Sequence, residues 1–208
     1  MSHQIRSFSR ELRLHAWVLA GMLLVMWGLE VADVLVFGGA LDAYGIHPRE
    51  TDKLAGIAFA PFLHAGFAHL VSNTVPLLIF GWVILLHAVR DFAVVSLLSA
   101  LVGGTGVWLV GAPGSVHLGA SVLVFGFFGF LLLRGWFRRS FASIALSVAV
   151  FLMYGGLIFG VLPGQVGISW EGHLFGFIGG GLAAWLLSGL DRQRALAAQR
   201  ETAALPHI

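Results

Sequence analysis

The sequence predicts an all-α protein that crosses a membrane six times, and three observations support this fold class. Of its 208 residues, 58% are apolar and only 11% carry a formal charge. A soluble domain carries about 25% charged residues, so this chain could not cover itself with polar surface in water. The mean hydropathy is +0.91, and long apolar stretches alternate with short polar or Gly-Pro segments. Lipid is therefore the solvent that fits this composition.

Apolar stretches long enough to cross a bilayer of about 30 Å define the helices in order. They cover approximately residues 15–39, 68–88, 92–110, 118–133, 141–162 and 172–189. Residues 41–63 are too polar to span and too apolar for a free loop, which predicts a partly embedded first connector. The predicted division is a cytoplasmic N-terminal segment at 1–14, a membrane domain at 15–189 and a cytoplasmic C-terminal tail at 190–208.

The basic residues predict the orientation of the spans. Only Arg49 and Lys53 lie in the first connector. The other ten lie before the first span, after the second and fourth spans, or in the tail: Arg6, Arg10, Arg13, Arg90, Arg134, Arg138, Arg139, Arg192, Arg194 and Arg200. The positive-inside rule therefore predicts a multi-pass protein of the plasma membrane with both termini in the cytoplasm. That orientation requires an even number of spans, in agreement with six.

Composition also excludes several classes of function. The chain has no cysteine, which excludes disulfides, thiolate metal sites and a cysteine nucleophile. The sequence pI is about 9.7, but the net charge is only +2 and the arginines flank apolar runs. Membrane anchoring explains them better than nucleic-acid binding, so no nucleic-acid partner is predicted. The first apolar run lacks a small-residue cleavage site, which predicts that the first span is retained.

Polar side chains inside the spans indicate a candidate site, because such groups are costly in lipid and tend to face a cavity. His69 and Asn73 lie near the start of the second span. Ser121 lies near the start of the fourth span, and His173 near the start of the sixth. With the N-terminus inside, these spans all begin on the external side. The four groups are thus predicted to share one side of the membrane and a similar depth.

These residue types are the ones that acyl transfer needs. A serine hydroxyl such as that of Ser121 becomes a nucleophile when a base such as neutral His173 takes its proton. His69 and Asn73 are one helical turn apart and can both donate hydrogen bonds, which suits an oxyanion hole. No carboxylate is obviously placed to orient His173, so a Ser–His dyad is the simpler interpretation. No metal or organic cofactor is needed for this chemistry.

Small residues indicate how the fourth and sixth spans meet. The sixth span carries Gly176, Gly180 and Ala184 at the four-residue spacing that lets membrane helices approach closely. The fourth span offers Gly119, Gly126 and Gly129. Phe125 follows Ser121 by one turn, where its ring is expected to pack against the imidazole of His173.

The same residues resemble the rhomboid family of intramembrane serine proteases. The likeness rests on three motifs and covers nearly the whole chain: His69-x-x-x-Asn73, Gly119-Ala120-Ser121, and Glu171-Gly172-His173-Leu174-Phe175-Gly176. The resemblance implies a six-span bundle that cleaves single-span membrane proteins near the external surface, with the lipid bilayer as its surroundings. It implies Ser121 as nucleophile and His173 as general base. It also implies His69, Asn73 and the Ser121 N–H as the oxyanion hole, and a structural role for His64.

Two departures from the family pattern stand out. Val122 occupies the place of the last glycine in Gly-x-Ser-Gly, where a branched side chain is expected to crowd the site or displace a packing helix. The first connector reads Lys53-Leu54-Ala55-Gly56 where the family has a Trp-Arg pair, which bears on how the loop is anchored.

Three alternatives to an active protease remain open at this point. The first is a catalytically weak or inactive rhomboid-like protein that binds membrane clients, which Val122 favours. The second is a small transporter or proton-coupled carrier that uses Glu30 and Asp33 of the first span together with the histidines. The third is a metal site built from His64, His69 and His173. Four other histidines are expected in connectors or at the membrane interface: His47, His87, His117 and His207.

Overall fold

Helices account for almost all the regular structure of the computed structural model, which describes residues 2–165 and 167–204. Six helices are long and apolar enough to cross a membrane, which confirms the predicted all-α, six-span fold class. His207 and the end of the predicted tail lie outside the described residues. The helices are α1 (Ser2–Ala32), the short α2 (Gly56–Phe59), α3 (Phe67–Leu85), α4 (Val89–Val110), α5 (Ser121–Arg138), α6 (Phe141–Tyr154) and α7 (Trp170–Ala204).

Two of the helix boundaries that differ from the sequence prediction have a clear physical reason. Helix α5 begins at Ser121 rather than near Leu118, because Gly119 has a φ of +120°, outside the helical region. Gly119 is therefore part of the preceding loop and not, as predicted, a packing residue of the span. Helix α7 continues beyond the apolar stretch as far as Ala204, through residues such as Ala and Arg that favour helix. The division into a membrane domain and two terminal segments stays a prediction.

The first connector is anchored by an arginine. Arg49 donates from its guanidinium to the carbonyls of Leu109 at 3.0 Å and Gly111 at 2.7 Å, where α4 ends. Its backbone N–H donates to the Trp108 carbonyl at 3.0 Å, and the Trp108 indole donates to the Glu50 carbonyl at 3.2 Å. The unpaired carbonyls at a helix C-terminus favour a cation. Arg49 and Trp108 thus anchor a connector that lacks the family's Trp-Arg pair.

The two acidic residues of the first span differ in their contacts. The Asp33 carboxylate accepts the Leu41 N–H at 2.9 Å, which ties the end of α1 to the connector. Glu30 is buried, and neither of its carboxylate oxygens has a hydrogen-bond partner among the described residues. Neither side chain lines the cavity described below, so neither contributes to the candidate site.

Helix α5 lies at the centre of the bundle, with Phe127, Phe128 and Phe130 fully buried. Its backbone touches that of α7: the position of a Cβ on Gly180 falls against the Gly126 carbonyl. Glycine lets two membrane helices approach this closely because it has no side chain to hold them apart. This contact fixes the start of α5 relative to the start of α7, and therefore the serine relative to the histidine.

Candidate active site

A cavity of about 700 Å³ contains all four polar residues singled out from the sequence. It is bounded by the starts of α3, α5 and α7, by the loop before α5 and by the segment that follows α6. Its polar lining residues are His69, Ser72, Asn73, Ser115, His117, Ser121, Gln165, Ser169 and His173. The fold thus brings polar side chains from distant parts of the sequence to one cavity in an apolar chain.

The loop that ends at Ser121 is held by two backbone hydrogen bonds to the first connector. The Gly119 N–H donates to the Ala60 carbonyl at 2.8 Å. The Ala120 N–H donates to Nε2 of His64 at 3.2 Å. The Ser121 N–H has no acceptor among the described residues, as expected for the first turn of a helix. That N–H is therefore available to an oxyanion.

The imidazole of His173 is oriented by a backbone carbonyl and an aromatic ring. Its Nδ1 lies 2.9 Å from the Gly160 carbonyl oxygen, which can only accept, so Nδ1 carries the proton. The Phe125 ring stacks on the imidazole, with centroids 3.9 Å apart and planes 10° from parallel. In this tautomer Nε2 keeps its lone pair, which is the state a general base needs. The Gly160 carbonyl thus orients the His173 imidazole, as a carboxylate does in a Ser–His–Asp triad.

Ser121 and His173 line the same cavity but are not hydrogen-bonded to each other in the structure, which describes both residues. Catalytic hydrogen bonds are often long without substrate and tighten only in the reacting complex. No hydrogen bond from another described residue occupies the Ser121 hydroxyl. The hydroxyl is therefore available both to a base and to an incoming carbonyl.

His69 and Asn73 converge on the backbone just before Ser121. A Cβ on Gly119 would lie 2.6 Å from Cε1 of His69 and 3.6 Å from Nδ2 of Asn73. The Asn73 Nδ2 group is buried and has no hydrogen-bond partner among the described residues. A buried amide without an acceptor is costly, so this donor is one that a bound oxygen would satisfy. These two side chains therefore lie beside the loop that leads into the free N–H of Ser121.

The side chain of Val122 points away from the cavity and packs against a glycine of α4. A Cβ on Gly103 would collide with Cγ2 of Val122. The backbone of Val122 also lies close to α7: a Cβ built on Gly176 would be 3.3 Å from the Val122 Cα. Val122 is buried and does not line the cavity. The Val122 side chain therefore does not enter the cavity, because Gly103 has no side chain and leaves room for it.

This packing predicts strong coupling between Gly103 and Val122. Gly103→Ala should lower the free energy of unfolding by about 1–3 kcal/mol, because the new methyl group overpacks the Val122 side chain. The double variant Gly103→Ala/Val122→Gly should lose at least about 1 kcal/mol less than the sum of the two single losses, because the added methyl group then occupies space that the valine leaves. Thermal unfolding of wild type, both single variants and the double variant in detergent measures the coupling. Purely additive losses would show that the two residues do not share space.

A hydrogen-bond chain that the sequence analysis missed joins the loop before α5 to the start of α7. The Ser115 hydroxyl donates to the Ala112 carbonyl at 2.6 Å, so it accepts from Nε2 of His117 at 2.7 Å. Nδ1 of His117 then accepts from the Ser169 hydroxyl at 2.7 Å. That hydroxyl in turn accepts the Gly172 N–H at 3.2 Å. His117 is thus a cavity residue that links the loop before Ser121 to the start of α7, and not merely a connector residue.

The hydrogen bonding of the candidate site requires His64 to be neutral. Its side chain is buried, with the His69 ring centroid 5.2 Å away. Burial, and secondarily the nearby His69, lower the pKa of His64 to about 4, from an ordinary value near 6.5. Only neutral His64 has a lone pair on Nε2 for the Ala120 N–H. The nucleophile loop therefore depends on His64 staying deprotonated.

Acid should accordingly destabilise the protein through His64. A histidine with a lowered pKa contributes stability that is fully present above about pH 6.5 and is lost as the pH falls through about 4. The full loss is about 3 kcal/mol, from 1.4 kcal/mol per pKa unit. His64→Gln keeps an acceptor but does not titrate, so its melting temperature should fall less than that of wild type between pH 7.5 and 4.5. Parallel melting curves for the two proteins would contradict this role.

The metal alternative has no matching geometry in the described part of the chain. Among the side chains that the structure describes, in residues 9–165, 167–200 and 202, no group of three or more His, Asp or Glu is arranged to hold a metal ion. His64, His69 and His173 do not form such a group.

Comparison with known proteins identifies the family of the chain. A family profile described as "Rhomboid domain" matches residues 51–190, which include every residue of the candidate site. The chain belongs to the rhomboid family. With six apolar helices among its described residues, it is a multi-pass membrane protein. Membership of the rhomboid family suggests a role in intramembrane proteolysis.

Several bacterial proteins are similar to this rhomboid. The uncharacterized protein Rv1337 of Mycobacterium tuberculosis is 41% identical over 194 residues, covering 86% of this chain and 80% of its own. The uncharacterized protein ML1171 of Mycobacterium leprae is 41% identical over 202 residues, covering 90% and 78%. The Bacillus subtilis protein named "Putative rhomboid protease YdcA" is 33% identical over 128 residues, covering 60% and 62%.

Proposed function

We propose that this rhomboid is an intramembrane serine endopeptidase that cleaves single-span membrane proteins with a Ser121–His173 dyad. The observation that carries the proposal is the convergence of four groups at one cavity. They are a free serine hydroxyl, an imidazole whose Nδ1 is already bound, and two polar side chains on α3. One donor of this set, Nδ2 of Asn73, is buried without a hydrogen-bond partner among the described residues, so a bound oxygen would satisfy it.

The reaction follows from the position of the protons. Nε2 of His173 takes the proton of the Ser121 hydroxyl as Oγ attacks the scissile carbonyl carbon. The oxyanion that forms accepts hydrogen bonds from His69, Asn73 and the Ser121 N–H. His173 then gives its proton to the leaving amine, and the C–N bond breaks. Water, deprotonated by the same imidazole, hydrolyses the acyl-enzyme and restores the serine.

The setting of the reaction is part of the proposal. The ten-to-two bias of basic residues supports cytoplasmic termini in the plasma membrane, which puts the cavity near the external surface. A substrate helix must unwind locally to offer a peptide bond to Ser121, and the polar cavity supplies water for hydrolysis. The partners are single-span membrane proteins and the surrounding lipid, with no cofactor in the chemistry.

The non-catalytic alternative loses its main support in the structure. Val122 favoured a client-binding protein only if its side chain disturbed the serine or α7. That side chain packs against Gly103 of α4 and does not line the cavity. We therefore favour the enzyme over the client-binding protein.

Reaction with a fluorophosphonate probe tests the proposal. The folded protein should be labelled at Ser121, and labelling should disappear after heat denaturation and in Ser121→Ala. Ser72 also lines the cavity, so Ser72→Ala is the matched control and should still be labelled. Absence of labelling at Ser121 in folded wild type would count against an activated serine.

A further inference from the structure

A second polar pocket lies at the opposite end of the bundle from the candidate active site. Its volume is about 560 Å³. Ser121 and Arg138 are the two ends of α5, roughly 25 Å apart along the helix at 1.5 Å per residue. The pocket is lined by Leu86, His87, Ala88, Arg90, Asp91, Arg134, Arg138, Asp191 and Arg194.

The floor of the pocket is a buried ion pair. Nη1 of Arg134 donates to Asp91 at 2.9 Å, and both side chains are almost fully enclosed. Arg90 shares the same carboxylate at 3.0 Å. Nε of Arg134 is buried without a hydrogen-bond partner, and its Nη2 has no acceptor among the described residues. The floor therefore holds more donors than the protein's own acceptors satisfy.

The rim of the pocket carries further positive charge that is loosely held. Arg90 and Arg138 both reach Asp191, at 3.4 Å and 3.7 Å, and all three side chains are partly exposed. Arg194 makes no ion pair with any described residue. Ion pairs this long and this exposed contribute little, so the guanidinium groups can reorient towards a ligand. Four guanidinium groups face two carboxylates, which leaves an excess of positive charge.

We propose that this pocket binds a phosphate group, carried by an anionic lipid headgroup or by a free phosphate. Guanidinium groups recognise phosphate oxygens through paired hydrogen bonds, and the pocket offers several at converging positions. Basic pockets between membrane helices are sites for anionic headgroups on the cytoplasmic side. In the proposed orientation, this end of the bundle faces the cytoplasmic leaflet. A zwitterionic headgroup suits the site less well, because its cationic part meets the excess positive charge.

Native mass spectrometry of the purified full chain tests this assignment. Phosphatidylglycerol should form a one-to-one adduct at least about fivefold more tightly than phosphatidylcholine. The exposed rim double variant Arg138→Gln/Arg194→Gln should weaken that adduct by roughly tenfold. The matched control Arg192→Gln/Arg200→Gln removes the same charge from the same end of the protein, outside the pocket, and should weaken it less than about twofold.

Inorganic phosphate distinguishes the two sources of the ligand. If phosphate displaces the lipid adduct and raises the melting temperature of wild type but not of the rim double variant, the pocket is supported and its ligand is a free phosphate. If the rim double variant weakens the lipid adduct but phosphate does not displace it, the pocket is supported and its ligand is the lipid headgroup. Equal weakening in the rim and control variants would overturn the proposal. So would equal affinity for the two lipids together with no stabilisation by phosphate.

Discussion

Replacing His173 with alanine should reduce cleavage of a membrane reporter by about 10⁴-fold or more, while the protein remains folded. Among the described residues, His173 is the only base lining the cavity whose Nδ1 contacts a backbone carbonyl. That carbonyl oxygen belongs to Gly160 and lies 2.9 Å away. Without it, the Ser121 hydroxyl keeps its proton at neutral pH and the leaving amine receives none. Steady-state cleavage rates in detergent or liposomes measure the loss.

A matched histidine variant separates this effect from a general disturbance. His87 lies in the arginine-lined pocket at the other end of the bundle, so His87→Ala should retain reporter cleavage within about twofold. Melting temperatures of both variants show whether the loss of the Phe125–His173 stacking unfolds the protein. A folded His173→Ala variant with activity within tenfold of wild type would contradict the assignment of the base.

Replacing Gly119 with alanine should lower the cleavage rate by about 10²–10³-fold, the cost of losing an oxyanion donor. The new Cβ would lie 2.6 Å from Cε1 of His69 and 2.7 Å from its Nε2, so the imidazole must move. The φ of +120° at Gly119 adds backbone strain to that collision. Ser121 and His173 are untouched, so the loss should fall on the rate constant for acylation.

Gly114 provides the control for backbone strain. It lies in the same loop, with a φ of +77° and nothing within 4 Å of the position of its Cβ. Gly114→Ala should therefore lower the melting temperature slightly and leave the cleavage rate within about threefold. Similar rates for the two alanine variants would show that strain, rather than the position of His69, explains the effect.

The sequence predicts the fold and the polar side chains of the candidate site for a clear physical reason. Apolar stretches and cationic flanks are local signals, and a histidine or serine within such a stretch is conspicuous because lipid penalises it. The six spans and the four residues could therefore be identified without coordinates. Helix ends were less predictable: α5 begins after Gly119 because of a backbone angle, which apolar patterns do not report.

The groups that support the site could not be predicted in the same way. The Gly160 carbonyl orients His173, yet a backbone oxygen leaves no trace in residue type. Gly103 makes room for Val122 from another helix, so the pairing exists only once the helices are packed. His117 resembled a connector histidine until the structure placed Ser169 next to it. The segment from Pro113 to Leu118 offered a weak signal, since a serine and a histidine precede the nucleophile closely.

Cleavage of a single-span reporter by the purified protein in liposomes tests the central claim most directly. Wild type and Ser121→Ala would be compared at equal reconstituted amounts, with the products mapped by mass spectrometry. The account predicts one cut near the external end of the reporter helix by wild type and none by Ser121→Ala. The same cut, made at the same rate by Ser121→Ala, would contradict it.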